Sequence, residues 1–472
     1  MRENTMVVEW WSIIPFALLL AAIAILPLVP ATEHVWERNT TKLAVALALG
    51  LPIAVWFLLA GHGTEIAHAL VEYFQFIMLL FALFVVSGGI FLTGDIRATP
   101  RNNTTFLALG AVLASLVGTT GAAMLLIRPL LNTNRERTHR VHTVIFTILI
   151  VANCGGLLTP LGDPPLFLGF LRGVPFTWTL TLFPQWLFVN GMLLLTYFAL
   201  DRREYAREPV EAIAWDASAR RPLGIVGRLN FLFFAMIILA VAFIPSVDLH
   251  AIEAGHAGLV AWVPWRELVF ATAAACSFFL GSKQVRFGLN QFTWGPIGEV
   301  AALFVGIFVT MVPALAYLAQ IAPSLPLTEV TFFLFSGGLS AVLDNAPTYA
   351  TFFEMAAQLP GEPRVAGVGE HYLIAISLGS VFCGAITYIG NGPNFMTKSV
   401  ADAAGVRMPS FGGYVRWTFV FLVPTLAAMV CLFIADGPVW TAIGGLLTAF
   451  LVGRALVMAR QTHPAEVATP QA

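Results

Sequence analysis

Apolar segments of about twenty residues follow one another along the whole chain, and that is the length an α-helix needs to cross the hydrocarbon core of a bilayer. Backbone in lipid must satisfy its own hydrogen bonds, which leaves only helices or a closed barrel. Barrel strands would read as alternating segments of about ten residues, and these runs do not alternate. Composition agrees: 58% of the 472 residues are hydrophobic, 11% are charged, and the mean hydropathy is +0.82. A soluble domain carries about a quarter charged residues. The fold class expected is an all-α polytopic membrane protein whose first partner is the lipid bilayer. Residues 1–30 read as a first span, since Glu3 and Glu9 offset Arg2 and no small-residue cleavage site follows. A formal net charge of −1 without a basic tract argues against a nucleic-acid partner. Cys154, Cys276, Cys383 and Cys431 fall in apolar segments without CxxC spacing and read as structural thiols.

The apolar pattern is interrupted by polar, helix-breaking stretches, and two of them share a frame. Thr159-Pro160-Leu161-Gly162-Asp163-Pro164-Pro165-Leu166-Phe167 is answered by Thr387-Tyr388-Ile389-Gly390-Asn391-Gly392-Pro393-Asn394-Phe395, with Thr, Gly, Pro and Phe at matching places. A glycine stands three residues upstream of each, Gly156 and Gly384. Plain spans are expected near 11–30, 42–61 and 71–93, followed by 104–131, whose middle, Gly118-Thr119-Thr120-Gly121-Ala122, is unfavourable for helix. Each arm of that segment is too short to cross, so it reads as a re-entrant hairpin. A broken helix at 140–172 and a plain span at 178–200 complete a first repeat, residues 1–200. Residues 201–228 carry six arginines and read as a soluble linker. The order then recurs over 229–435: spans near 229–247, 266–281 and 293–318, a hairpin at 326–358 broken at Asp344-Asn345-Ala346-Pro347-Thr348, a broken helix at 368–402, and a span at 414–435. An extra C-terminal span at 436–460 and a polar tail, 461–472, follow. The whole reads as an inverted repeat of about 11 transmembrane helices, two re-entrant hairpins and two broken helices.

Loop charge supports this topology. With the N-terminus outside and the C-terminus in the cytoplasm, 19 of the 25 Lys and Arg face the cytoplasm, among them Arg97, Arg101 and Arg137. Cytoplasmic excess of Lys and Arg is the usual rule.

Non-helical peptide at mid-depth survives only where it is buried in protein or lines a wet cavity, so the breaks are where function is expected. Inverted repeats meeting at discontinuous helices are the recurrent architecture of secondary transporters. Asp163 and Asp344 are the sharpest residues, because a carboxylate at mid-membrane must be paired, protonated or hydrated. Asp163 before two prolines also fits a helix cap. Thr119, Thr120, Thr159, Asn345, Thr348, Thr387, Asn391 and Asn394 add neutral oxygens and amides for an ion. The hairpin tips near Thr119 and Asp344 are expected to converge with the breaks near Asp163 and Asn391. Arg128 and Lys398 could hold a carboxylate substrate or neutralise the two aspartates, and Glu354 is a further charge partner. Glu299 could carry a proton or be wetted at the cytoplasmic face.

These residues resemble the ion transporter superfamily of sodium/proton antiporters, arsenite efflux pumps and di- and tricarboxylate carriers. Leu339 through Thr348 looks like the Asp-Asn-x-Pro element of its antiporter branch. Asn153 through Pro165 looks like the family's first broken helix, and more particularly like bacterial proteins grouped as citrate transporters or sodium:proton antiporters. The resemblance implies a multi-pass protein of the bacterial inner membrane, a homodimer, and site residues at Thr119, Thr120, Thr159, Asp163, Asp344, Asn345, Thr348, Thr387 and Asn391. The Ser-Asn-Thr signature of the dicarboxylate carriers is absent at all four breaks. The expected function is secondary active transport, exchanging Na+ for H+, with Asp163 and Asp344 binding the transported Na+ and no resident cofactor. The rival readings are a citrate-like carboxylate symporter and an oxyanion (arsenite) efflux carrier. An enzyme is not expected, since no HExxH or comparable set appears.

Overall fold

The apolar runs become helices and the breaker residues become the interruptions, as a computed structural model of the chain shows. It describes residues 8–36, 38–218, 221–249, 252 and 258–460; Arg2, Arg220 and the tail at 461–472 lie outside the described residues. In chain order the helices are α1 (Ile14–Ile25), α2 (Pro30–Trp36), α3 (Asn39–Leu59) and α4 (Gly63–Ser87). Strand β1 (Phe91–Asp95) leads to α5 (Pro100–Val117), α6 (Thr119–Thr133), α7 (Val141–Ile150), α8 (Pro164–Leu171) and α9 (Phe183–Tyr205). After α10 (Val210–Ser218) and β2 (Arg221–Val226) come α11 (Leu229–Phe243), α12 (Trp265–Leu280) and α13 (Gly295–Ile321). The second interrupted set is α14 (Glu329–Ser340), α15 (Asn345–Ala357), α16 (Glu370–Cys383) and α17 (Gly392–Ala403). Helices α18 (Phe411–Phe421), α19 (Val423–Phe433) and α20 (Pro438–Arg460) close the chain. Among the described residues, seven helices are long and apolar enough to cross a membrane, with shorter apolar helices beside them. The protein is an all-α polytopic membrane protein.

One expectation needs correcting. The middle of the first hairpin is not a five-residue irregular stretch: Gly118 alone makes the turn, at φ +86°, and α6 begins at Thr119. Only glycine adopts that backbone without strain, and the two threonines that follow sit in a first helical turn, where β-branched residues lose little. Residues 201–228, read as a soluble linker, carry secondary structure of their own. Helix α9 runs on to Tyr205, α10 follows, and β2 pairs antiparallel with β1, Leu92 opposite Ile225. Acidic side chains fasten this stretch. Glu208 accepts from the amides of Thr138 (2.8 Å) and His139 (2.9 Å), and both oxygens of Asp216 accept from the amide of Ala98 at 3.1 Å. Asp201 completes the cluster, 2.7 Å from Arg137 Nη1 and 2.8 Å from His142 Nε2. Burial by itself disfavours the Arg137 charge, but Asp201 beside it more than offsets this and holds the guanidinium above its ordinary range.

The helices group into two compact units, and each unit draws on both halves of the sequence. The first comprises Met1–Ile90, Pro164–Phe176 and Gly227–Ser380; the second comprises Phe91–Asp163, Thr177–Val226 and Val381–Ala472. Within the first, α13 lies along α3, and α15 packs on α8, α13 and α14. The α3 to α13 approach depends on small residues: a Cβ on Gly306 would stand 2.7 Å from that of Ala46, and Gly50 faces the Gly306 Cα. Close backbone approach through small residues is how helices associate in lipid, where apolar side chains gain nothing by leaving the solvent. Within the second unit, α5 packs on α6 and α9, α17 on α6 and α7, and α20 on α9 and α19.

Candidate functional site

The first break begins where α7 ends at Ile150, passes through a tight turn at Cys154–Leu158, and ends at Asp163 before α8. Gly156 and Gly162 touch through their backbones, and a Cβ on Gly162 would collide with the Gly156 carbonyl. The unwound carbonyls are occupied by neighbouring elements. Gly155 O accepts from Ser115 Oγ (2.5 Å) and Trp186 Nε1 (3.0 Å), Cys154 O from Asn190 Nδ2 (3.1 Å), and Leu158 O from Thr179 Oγ1 (2.9 Å). Gly162 O accepts from the amide of Thr119 at 2.8 Å, which ties the hairpin turn to the break. Backbone unwound at membrane depth has to be satisfied in this way or by water.

The second break, before α17, uses the same local device. Thr159 Oγ1 accepts from the amide two residues on, at Leu161 (3.2 Å), and Thr387 Oγ1 does so from Ile389 (3.2 Å). Both threonines therefore shape turns. Thr159 Oγ1 also donates to the Ser115 carbonyl. Asn394 Nδ2 donates to Gly384 O (2.8 Å) and Thr387 O (2.9 Å), while Tyr414 and Thr418 hydroxyls take the carbonyls of Ala385 (2.8 Å) and Ile386 (3.0 Å).

The two breaks meet in the second unit through a clasp of asparagines. Asn153 Nδ2 donates to Asn394 Oδ1 at 2.6 Å, and Asn391 Nδ2 donates to Asn153 Oδ1 at 3.1 Å. Asn391 Nδ2 also lies 3.3 Å from Asp163 Oδ1, which accepts in addition from Thr119 Oγ1 at 3.0 Å. Asp163 is only 1% exposed, and Asn153, Asn391, Asn394 and Thr119 are buried with it. Here a hairpin turn and two broken helices converge, at residues up to 241 positions apart.

Asp344, Asn345 and Thr348 belong to the first unit. Asp344 caps α15, its Oδ1 accepting from the amide of Ala346 at 3.1 Å, and Thr348 Oγ1 donates to the Asp344 carbonyl at 3.0 Å. Asn345 and Thr348 are buried, and Asp344 is half-buried. A serine shortly before each hairpin turn makes an equivalent bond: Ser340 Oγ donates to Ser380 O at 2.7 Å, forty residues on, as Ser115 does to Gly155 O. The remaining charges have nearby partners. Lys398 pairs with Asp402 at 2.7 Å, Glu354 lies 3.9 Å from Arg172, and Glu299 pairs with Lys42 at 2.7 Å. Local pairs thus engage Lys398 and Glu354, which the sequence offers as partners for the mid-membrane aspartates. Arg128 is half-buried on α6, and Thr120 is half-buried in its first turn.

Asn153 and Ser115 carry as many of these contacts as any expected residue, and neither is a sequence candidate. Their signal was a lone polar residue inside an apolar run, at the register of a break. Among the described residues no group of three or more His, Cys, Asp or Glu is placed to hold a metal ion.

Residues 5–434 match the family described as "Putative citrate transport". Two proteins bearing the name uncharacterized transporter, one from Mycobacterium bovis and one from Mycobacterium tuberculosis, are each 25% identical to the chain over 434 residues. The alignment covers 84% of this chain and 94% of each relative.

Proposed function

The chain belongs to this citrate-transport family of membrane transporters, and on that premise we propose that it is a secondary active carrier exchanging Na+ for H+, with Asp344 as the carboxylate that takes either ion. One observation carries the reading. Of the two aspartates at interrupted helices, Asp163 is fully buried and closed in by Thr119 and Asn391, whereas Asp344 is half-buried and bonded only to the amide of its own helix among the described contacts. A carboxylate that a hydrated cation can reach, at the N-terminus of a half-helix deep in the membrane, can hold Na+ or H+ but not both. Competition for one group couples the two fluxes, and alternating access then gives exchange. Asp163, with donors already aimed at its oxygen, acts as the fixed anion that keeps the broken helices in register.

Citrate symport is the second reading, favoured by the family description. A multiply charged carboxylate would need cations, and Lys398 is engaged by Asp402 at 2.7 Å, which counts against it. Bacterial inner-membrane residence, an outside N-terminus and a homodimer accompany the proposal.

Proteoliposomes containing the purified chain separate the readings. Addition of Na+ or Li+ is expected to move protons, and Asp344→Asn is expected to abolish the movement. Labelled citrate uptake that Asp344→Asn leaves intact, with no proton response to either cation, would overturn the exchanger in favour of the symporter.

A further inference from the structure

The outward face of α5 carries Arg101, Thr105, Leu109, Val112 and Leu116, all exposed and spaced three or four residues apart on one side of the helix. Between this face and Phe198 of α9 runs an open groove of about 390 Å³, bordered also by Thr104 and Ala108. Its walls are apolar along nearly the whole length. The two threonines do not change this, because Thr104 Oγ1 donates to Pro100 O (2.6 Å) and Thr105 Oγ1 to Arg101 O (2.9 Å), within α5 itself.

Charge sits at one end. Arg101, in the first turn of α5, is exposed and makes no ion pair among the described residues, and Arg97, four residues earlier, is a second exposed cation. An open groove with an apolar body and a cationic mouth matches an amphiphile with the opposite charge at its head.

We propose that this groove is a binding site for one anionic phospholipid, an acyl chain lying along Thr105, Ala108 and Val112 against Phe198 and the phosphate resting on the Arg101 guanidinium. A guanidinium is well suited to phosphate, since its donors form paired, charge-assisted bonds. A second copy of the chain is a poorer occupant, because it would have to bring an acid to Arg101 and an apolar ridge to the groove. The site matters for transport because α5 also carries Ser115 and leads directly to Thr119. A lipid seated on its outer face supports the arm that holds the first break.

Native mass spectrometry of the full chain, released from micelles doped with phosphatidylglycerol or phosphatidylcholine, tests the site. One lipid is expected to stay bound, with phosphatidylglycerol preferred about fivefold, the effect of one cation near an anionic headgroup. Arg101→Gln is expected to remove the preference and Arg101→Lys to keep it. Ala108→Phe, which fills the groove, is expected to lose the lipid altogether while tryptophan fluorescence reports an unchanged melting temperature. Should that variant not fold, the exposed substitution Thr105→Trp is read in its place. Retention of the preference in Arg101→Gln would overturn the proposal. So would a folded groove-filling variant that keeps its lipid, or one that splits a dimer instead of losing lipid.

Discussion

Asp163 and Asp344 occupy similar places in the sequence and different ones in the structure. Each stands just before a half-helix that follows an interruption, and each is the acid of its break. Asp163 is buried and receives a hydroxyl from the hairpin of its own half and an amide from the broken helix of the other half. Asp344 is half-buried and caps its own helix. On the proposed reading, the carboxylate with donors converging on it from separate elements is a structural node, and the less enclosed one is the site for a mobile ion. Sequence position alone makes both of them candidates, with a helix cap as the rival reading for Asp163, although it is Asp344 that caps its helix.

That contrast can be broken most directly at Asp344. Asp344→Asn is expected to bring Na+-driven proton movement down to that of empty liposomes without lowering the melting temperature; residual exchange would mean that the accessible acid is not the exchanging one. Next in size is Asn394→Leu, which removes the donor to the carbonyls of Gly384 and Thr387 and takes from Asn153 Nδ2 one of its two acceptors, leaving Ile148 O. It is expected to destabilise the protein by about 2 kcal/mol, read as a lower midpoint in thermal unfolding. Asp163→Asn keeps an oxygen able to accept from Thr119 and Asn391, so exchange is expected to survive within about tenfold of wild type. Complete loss in that variant would erase the distinction between the two acids. The smallest effect compares the paired serines. Ser115 Oγ donates to Gly155 O and accepts from the amide of Leu158 (3.1 Å), whereas Ser340 Oγ donates to Ser380 O. Ser115→Ala is expected to cost about 0.6 kcal/mol more than Ser340→Ala, roughly one hydrogen bond in a membrane protein.

Much of the fold was legible because helices in lipid announce themselves by length and apolarity, and interruptions by glycine and proline. The spans expected at 42–61 and 293–318 correspond to α3 and α13, and the hairpin at 326–358 to α14 and α15. The site was legible in part. Thr119, Asp163, Asn391 and Asn394 do meet, but Thr159 and Thr387 shape the turns, and Asn153 joins the two breaks. The order within 201–228 was not legible because its fastening is long-range: the amide that donates to Asp216 belongs to Ala98, 118 residues away.

The sequence by itself determined that this chain spans a membrane as interrupted helices with acids at the interruptions, because transfer from water to lipid depends on local composition alone. Only the tertiary structure decided that hairpin and broken-helix segments from both halves share a unit, and that one aspartate is enclosed by donors from other elements while the other is half-buried at the cap of its own helix. Those outcomes depend on hydrogen bonds between residues as far apart as Asn153 and Asn394, and hydropathy carries no record of such partners.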